Sequence, residues 1–401
     1  MERKQYNTMI LVLGALSAIG PFSIDMYLPG FPAIAAGLKT DIAHVGLSLT
    51  SYSVGISVGQ LCWGPLIDRY GRKRPLMIGL SAYILAALGC ACSPSVYFLI
   101  TLRLFQALGG CVGIVGARAI VRDLFSGKEA ARVLSTLVMV FGVSPIVAPT
   151  VGGFVAVTLG WRFIFLILAA IATFLLVTVV KYLGESKTPD STISLHPKKV
   201  VFEYITLFRE PVFVIYTCVG SVGVALFFAY LAGSPLVYMK LLGFTPTQFG
   251  WIYGANAVGL VIASQINRVW LRVRNSTQIL LIVASAQFCL TIALLAWSFL
   301  GRGNGIEIIG FISCLICCQG FIGPNAMALA LQPFTRKAGT AVAFLGSAQQ
   351  GMGALASALV SYFYDGTAKP MIWVMTGCTA IGLMVLAGRR YQKGSETYSK
   401  G

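Results

Sequence analysis

The feature that most constrains the fold of this chain is a series of long, uninterrupted apolar runs. A helical run of about 20 apolar residues matches the hydrocarbon core of a bilayer, and a helix satisfies its own backbone hydrogen bonds there. We therefore predict an all-α polytopic membrane protein with twelve transmembrane helices. The predicted spans are 8–29, 45–67, 75–93, 96–121, 133–158, 161–183, 212–238, 246–267, 277–300, 306–331, 338–363 and 370–388.

The composition supports this prediction. Of the 401 residues, 57% are hydrophobic and 11% are charged, whereas about 25% are charged in an average soluble domain. This composition excludes soluble enzymes, nucleic-acid-binding domains and disulfide-bonded secreted folds. The first apolar run is too long for a signal peptide and is followed by further runs, so we interpret it as an uncleaved first span.

The basic residues predict how the spans are oriented. If the N-terminus is cytoplasmic and the spans alternate, 23 of the 30 Lys and Arg residues fall on the cytoplasmic side, five fall outside and two fall within span 4. Such a bias is typical of cytoplasmic loops. It predicts that both termini are cytoplasmic, and it accounts for the net charge of +17 without a nucleic-acid partner.

One long polar loop divides the chain into two sets of six spans. We predict an N-terminal six-helix lobe at 1–183, a cytoplasmic linker at 184–210, and a C-terminal six-helix lobe with a short cytoplasmic tail at 211–401. This division is typical of two-lobed transporters that bind their substrate between the halves.

The loop after span 2 reads GPLIDRYGRKRPL and carries a distinctive spacing of Gly, Asp and Arg. Glycines permit a tight turn, and Asp68 and Arg72 are spaced to form a charge pair. The alternative is a basic cytoplasmic loop without a further role. Arg122 and Asp123 lie at the end of span 4. Asp123 could pair with the basic residues of this loop; the alternative is that this end of the helix is simply solvated. The predicted cytoplasmic gate comprises Gly64, Asp68, Arg69, Gly71, Arg72, Arg122 and Asp123.

Asp25 lies inside the first span, after a Gly20-Pro21 pair that we expect to break or kink the helix. An ionisable residue within a membrane is costly, so it is a functional candidate by default. We predict that Asp25 binds and releases a proton; the alternative is a carboxylate that caps a helix end at the membrane surface.

Span 4 places Arg103, Gln106, Gly110, Gly113 and Ala117 on one helix face at steps of three and four residues. The small residues permit close helix contact. Arg103 lies about 10 Å from the outer end of its helix, in the same half of the membrane as Asp25, so the two could interact. The alternative is that Arg103 extends to the outer interface.

Two further groups of residues are candidates. Span 5 contains Pro145, Pro149, Gly152 and Gly153, which predict bending and tight packing, or simply an ordinary kinked helix. Polar and aromatic side chains in spans 1, 4, 7 and 10 could line a substrate cavity, although such residues also serve as packing or lipid contacts. These candidates are Tyr27, Gln106, Phe227, Tyr230, Gln319 and Asn325.

No catalytic or cofactor motif is visible in the sequence. It contains no phosphate-binding loop for ATP, and GMGALA at 351–356 lies within an apolar span, so we interpret it as a packing seam. The ten cysteines lie almost all within apolar runs, and the two histidines are not grouped with them. We expect no enzyme activity, no metal site and no cofactor.

These residues together resemble the major facilitator superfamily, and more narrowly its Bcr/CflA-type drug:proton antiporters. The loop at 64–74 is similar to the superfamily signature, and SIDMYLP at 23–29 resembles the first helix of the subfamily. Arg103 with Gln106, then Arg122 with Asp123, is similar to its fourth helix. Pro149, Gly152 and Gly153 fit its fifth-helix antiporter motif, whereas Ser144-Pro145 departs from the usual Gly-Pro.

The resemblance implies a proton-coupled antiporter of the bacterial inner membrane that works by alternating access. Asp25 would be the proton site, Arg103 its coupling partner, and the fifth-helix motif a barrier to proton leak. Subfamily members export drugs such as bicyclomycin, chloramphenicol or sulfonamides. We expect a monomer energised by the proton gradient, with protons, lipid and a small drug or metabolite as partners. The main alternative is a carrier that exports or imports one metabolite. A membrane receptor and a membrane enzyme are weaker alternatives, because the sequence has no large domain outside the membrane and no catalytic motif.

Overall fold

The computed structural model describes residues 3–190, 192, 195–300, 305–334 and 338–398, and within these ranges the chain is helical and has no strand. The helices are α1 Arg3–Asp25, α2 Phe31–Gly37, α3 Ile42–Tyr70, α4 Lys73–Ala91, α5 Val96–Leu124, α6 Gly127–Thr158, α7 Trp161–Tyr182, α8 Pro197–Leu207, α9 Pro211–Ser234, α10 Pro246–Trp270, α11 Ser276–Leu300, α12 Ile306–Leu331, α13 Ala338–Tyr362 and α14 Lys369–Tyr398.

Two irregular segments extend the long helices. A 3₁₀ turn at Leu28–Gly30 joins α1 to α2, and a π-helical segment at Pro235–Leu241 continues α9. We predicted a break or a kink at Gly20-Pro21. The break is wrong, because α1 runs through Pro21 to Asp25, and the kink stays a prediction. The helix ends only where Pro29 and Gly30 follow closely, so a single proline inside the helix did not stop it.

Each of the twelve predicted ranges overlaps one long helix, and most boundaries differ by a few residues. The largest differences are at the start of α6, at residue 127 and not 133, and at the end of α14, at residue 398 and not 388. Nine segments in the described part of the chain are both long and apolar enough to cross a membrane. The chain is therefore a multi-pass helical membrane protein. That α3, α6 and α13 also cross the membrane, and that both termini are cytoplasmic, stay predictions. Arg302, Arg336, Lys337 and Lys400, used in that topology, lie outside the described residues.

The first of two compact units comprises residues 1–203 and 243–255. Here α5 packs against α3, α4 and α1, while α1 also packs against α6 and α4 against α7. Small residues permit these approaches: a Cβ atom at Gly55 of α3 would lie 2.6 Å from the Leu104 carbonyl oxygen of α5. Gly113 of α5 lies directly against the Leu16 carbonyl of α1.

The second unit comprises residues 204–242 and 256–401. Its central helix is α9, which packs against α12, α13 and α14, and α11 packs against α12 and α14. A hydrophobic core forms around Phe213, Tyr216, Ile279, Ala326 and Leu345. A cavity of about 20 Å³ beside Gln287 and Thr379 has room for roughly one water molecule.

Candidate functional site

Asp25 ends α1 and lies in a buried polar site of the first unit. Its side chain is 5% exposed. Tyr253 Oη donates a hydrogen bond of 2.8 Å to Asp25 Oδ1, and Ser144 Oγ donates one of 3.2 Å to Oδ2. Within the described part of the chain, no Lys or Arg nitrogen lies within 4.0 Å of this carboxylate. The carboxylate is therefore held by hydroxyl groups and not by a cation.

Arg103 is fully buried on the neighbouring helix α5. Its guanidinium donates to Gln106 Oε1 at 2.8 Å and to the Ser23 carbonyl oxygen at 3.0 Å. It also lies over the rings of Tyr27 and Tyr52, at 4.5 and 4.0 Å from their centroids. The structure thus brings Arg103 to the same end of α1 as Asp25, but it forms no ion pair with that residue. Arg103 does not extend to the outer interface.

The hydrogen bonds around Asp25 include residues that sequence reasoning missed. Tyr253 lies on α10, 228 residues further along the chain, so no local spacing could have linked the two. Ser144 stands before Pro145, where the usual antiporter motif has glycine. That departure from the pattern was the available signal, because it adds a hydroxyl donor next to the carboxylate.

The four predicted motif residues of α6 lie beside this site. A Cβ atom at Gly152 would overlap the Met26 carbonyl, one residue after Asp25. A Cβ at Gly153 would lie 2.8 Å from the carbonyl oxygen of Pro246. Pro149 is buried and Pro145 is half-buried. The glycine pair therefore allows α6 to contact the backbone at the end of α1 on one side and the backbone at the start of α10 on the other.

A charge cluster forms at the other end of the first unit. Arg72, of which 1% of the side chain is exposed, binds Asp123 through Nε at 2.6 Å and through Nη2 at 3.2 Å. Its Nη1 binds Asp68 at 2.7 Å. We call these three residues the charge latch. It joins the ends of α3 and α5 to the turn before α4.

Glu185, in the predicted linker, completes this cluster and was not a sequence candidate. Its carboxylate accepts hydrogen bonds from the backbone N–H groups of Arg72 and Lys73, the latter at 3.3 Å, so it caps the N-terminus of α4. Gly71 adopts φ +84°, and a Cβ there would lie 2.8 Å from Glu185 Oε2. Ser186 Oγ also donates to Asp123 Oδ2 at 3.2 Å.

The remaining gate candidates contribute less to the cluster. The backbone carbonyl of Arg69 accepts a hydrogen bond from Asp190 N at 3.1 Å, in the predicted linker. Arg122 is exposed at the end of α5. Gly64 is half-buried, and a Cβ there would meet open space.

The candidate cavity residues divide into two groups. Tyr27 and Gln106 are buried around Arg103 in the first unit, and Tyr27 Oη also bonds Ser48 at 2.6 Å. In the second unit, Tyr230 accepts from Asn256 at 3.0 Å and Asn325 donates to Asn267 at 2.7 Å. Phe227 and Gln319 are half-buried. These last two keep accessible surface, whereas the other four are committed to contacts within the protein.

Comparison with known proteins places this arrangement in a family. The sequence profile of the Major Facilitator Superfamily matches residues 13–357. The chain belongs to this superfamily. A protein of Haemophilus influenzae named "Bicyclomycin resistance protein homolog" is 31% identical over 383 residues, covering 96% of each chain. "Multidrug resistance protein MdtL" of Escherichia coli is 27% identical over 374 residues, covering 93% of each.

A solved structure supports the fold. The crystal structure of a D-xylose-proton symporter superposes with a TM-score of 0.72 at 16% sequence identity, covering 95% of this chain and 96% of the other. The protein is therefore a superfamily transporter, with drug-resistance and multidrug-resistance proteins among its relatives. It handles a small molecule in a membrane, and its fold and relatives are not those of enzymes.

Proposed function

We propose that this transporter is a proton-coupled antiporter that exports drugs or other small amphipathic molecules across a bacterial inner membrane by alternating access. The observation that carries the proposal is the environment of Asp25. A buried carboxylate without a cationic partner is costly while it is charged and much less so once it is protonated. It is therefore suited to exchange a proton with each transport cycle.

Arg103 supports this role from the side of α5. Its bond to the Ser23 carbonyl and its contact with Tyr27 hold the chain two residues before Asp25, in α1, and two residues after it, in the turn that follows α1. We propose that Arg103 positions the proton site through the backbone of α1. The proton gradient would supply the energy, with no cofactor, and the working unit would be a monomer with both termini in the cytoplasm.

The relatives support drugs as the substrate class, since one is named for bicyclomycin resistance and another for multidrug resistance. The alternative is a superfamily carrier for one metabolite. The half-buried Phe227 offers an aromatic ring to either kind of substrate. The amide nitrogen of Gln319 is buried and has no hydrogen-bond partner in the described part of the chain, so it could donate to a substrate that reaches it.

The test uses inverted membrane vesicles with an acidified lumen and a pH-sensitive dye. We expect bicyclomycin, chloramphenicol or another compound of an antibiotic panel to release lumenal protons, and we expect Asp25→Asn to abolish this release while the protein still inserts. Asp365→Asn, an exposed change outside the spans, serves as the control and keeps activity. Release that persists in Asp25→Asn would remove Asp25 as the proton site. No release with any compound would favour the metabolite carrier.

A further inference from the structure

The helix α8 in the predicted linker exposes an apolar surface. Its side chains Val201, Phe202, Ile205 and Phe208, the last just beyond its end, are each between 53% and 59% exposed. At 100° per residue, these four positions fall within one face about 120° wide. We call this face the α8 stripe. Four large apolar side chains on one short helix form a contiguous patch, which in proteins marks an interaction site.

The neighbouring face of the same helix is fixed to the second unit. Leu207 is fully buried in the hydrophobic core that contains Phe213. The ring of Tyr204 packs against Phe344 of α13, with centroids 6.1 Å apart. Phe208, at the edge of the stripe, also contacts Phe344, with centroids 5.1 Å apart, and keeps 55% of its surface exposed. These contacts fix the part of α8 from Tyr204 onward within the second unit.

The position of α8 along the chain determines what covers the stripe. α9, which is long and apolar enough to cross a membrane, begins at Pro211, only four residues after α8 ends. The helix therefore lies at the level where the chain enters the bilayer. α8 is itself too short to cross, since its 11 residues span about 17 Å.

The charges at the ends of the stripe complement a lipid surface. Lys198 and Arg209 are exposed, one before the stripe and one after it. At 100° per residue Lys198 falls on the same face as the stripe, and Arg209 follows Phe208 just beyond the end of the helix. Long basic side chains place their stems along apolar surface and their charged ends among headgroups. An amphipathic helix with basic residues lies in the membrane interface, with its apolar side about 5–10 Å into the headgroup boundary, and anionic lipids strengthen the binding.

We propose that the α8 stripe is a membrane-binding surface that inserts into the lipid interface beside α9, with Lys198 and Arg209 binding anionic headgroups. This surface ties the linker to the bilayer at the entry to the second unit. It depends on the membrane location of the chain and not on proton coupling or drug export.

The test places tryptophan on the full-length protein in phosphatidylcholine vesicles that contain phosphatidylglycerol. Phe202→Trp adds an indole on the stripe, and Lys199→Trp adds one on the same helix away from it. Lipids brominated near the headgroup quench tryptophan emission on contact. After subtraction of the emission of the native tryptophans, we expect at least threefold stronger quenching for Phe202→Trp than for Lys199→Trp.

A second comparison tests the charges. We expect quenching of Phe202→Trp to fall when phosphatidylglycerol is omitted, and we expect this dependence to disappear when Lys198→Gln and Arg209→Gln are added. Ile205→Trp replaces Phe202→Trp if that variant does not insert. Equal quenching of the on-stripe and off-stripe variants overturns the proposal and favours a protein partner. Quenching that is strong but indifferent to phosphatidylglycerol overturns the anionic-headgroup part.

Discussion

Arg103 carries a guanidinium group that has no exposed surface. Its charge is stabilised by one carbonyl, one amide and two tyrosine rings. Cation–π contacts are worth about 2 kcal/mol or more each when they are desolvated. The buried Nε of Arg103 has no hydrogen-bond partner in the described part of the chain. Because none of the contacts made by Arg103 is an ion pair with a carboxylate, Asp25 can change its charge without breaking an ion pair with Arg103.

Tyr253 is the residue whose hydroxyl most directly stabilises charged Asp25. Tyr253→Phe removes only the oxygen that donates the 2.8 Å hydrogen bond. A hydrogen bond to a charged group is worth about 1.5–3 kcal/mol, and loss of a donor disfavours the charged form. We expect the pH profile of transport to move toward higher pH by about one unit, since one unit corresponds to about 1.4 kcal/mol.

The control for this change is another buried tyrosine. Tyr216→Phe removes a hydroxyl that lies 3.3 Å from Thr277 Oγ1 in the second unit. We expect its pH profile to match that of the unmodified protein. A Tyr253→Phe profile that also stays in place, while Asp25→Asn still abolishes proton release, would show that Tyr253 does not act on the proton site.

The sequence predicted the individual residues of the site better than their partners. Asp25 and Arg103 stand out because a charge is rare within an apolar run. The contact of Arg103 with the Ser23 carbonyl, two residues before Asp25, could not be predicted in this way. Two residues in the same half of a membrane can be arranged in several ways, and a pattern of charged residues does not indicate which backbone carbonyl accepts a hydrogen bond. Glu185 was missed for a similar reason: a single Glu after a span gives no signal of the helix end that it caps.

At the scale of elements, the glycine pair of α6 determines how closely α6 approaches the end of α1. Gly152→Ala places a methyl group on the Met26 carbonyl, and backbone on both sides leaves little room for adjustment. Overpacking of this kind costs about 1–3 kcal/mol. We expect separation of the two helices and faster decay of an imposed pH gradient across the vesicle membrane without substrate.

The control for Gly152→Ala is the same substitution at a glycine that has open space beside it. Gly310→Ala in α12 adds a methyl group that meets nothing within 4 Å, and we expect its pH gradient to decay at the normal rate. Equal decay rates for the two variants would mean that α6 does not limit proton leak.

The charge latch connects α3 and α5 to the start of α4, so its loss affects the packing of all three helices. Asp123→Asn removes the charge that Arg72 binds through two nitrogens, while the bond to Asp68 remains. We expect a lower melting temperature in detergent and slower transport, with the same order of preference among compounds. Asp190→Asn is the matched control: Asp190 is half-buried and its side chain accepts from Thr192, which lowers the pKa of Asp190. A melting temperature and a transport rate of Asp123→Asn equal to those of Asp190→Asn would contradict this role.

At the scale of the whole molecule, hydrophobicity predicted the helices well and the membrane spans less completely. Most run boundaries lie within a few residues of the helix ends, whereas α14 continues through polar residues for ten residues beyond its apolar run. Yet α3 and α13, which are rich in serine and glycine, fall outside the nine apolar segments found among the described residues. A helix that faces other helices needs less apolar surface than a helix that faces lipid, so hydropathy does not test the prediction that α3 and α13 cross the membrane.

The predicted orientation of the chain rests on the distribution of the basic residues, and a measurement can test it. Lys187 lies in the predicted cytoplasmic linker and Lys240 in a predicted outer loop. We expect a green fluorescent protein fused after Lys187 to fluoresce and an alkaline phosphatase fused after Lys240 to be active, because the first folds in the cytoplasm and the second only outside it. The exchanged fusions should both be silent. If they are active instead, the orientation is reversed, and the charge latch lies on the outer side with Asp25 near the cytoplasm. Alternating access exposes Asp25 to both compartments in either orientation, so this measurement determines which side of the membrane carries the charge latch and leaves the proposed proton exchange at Asp25 unchanged.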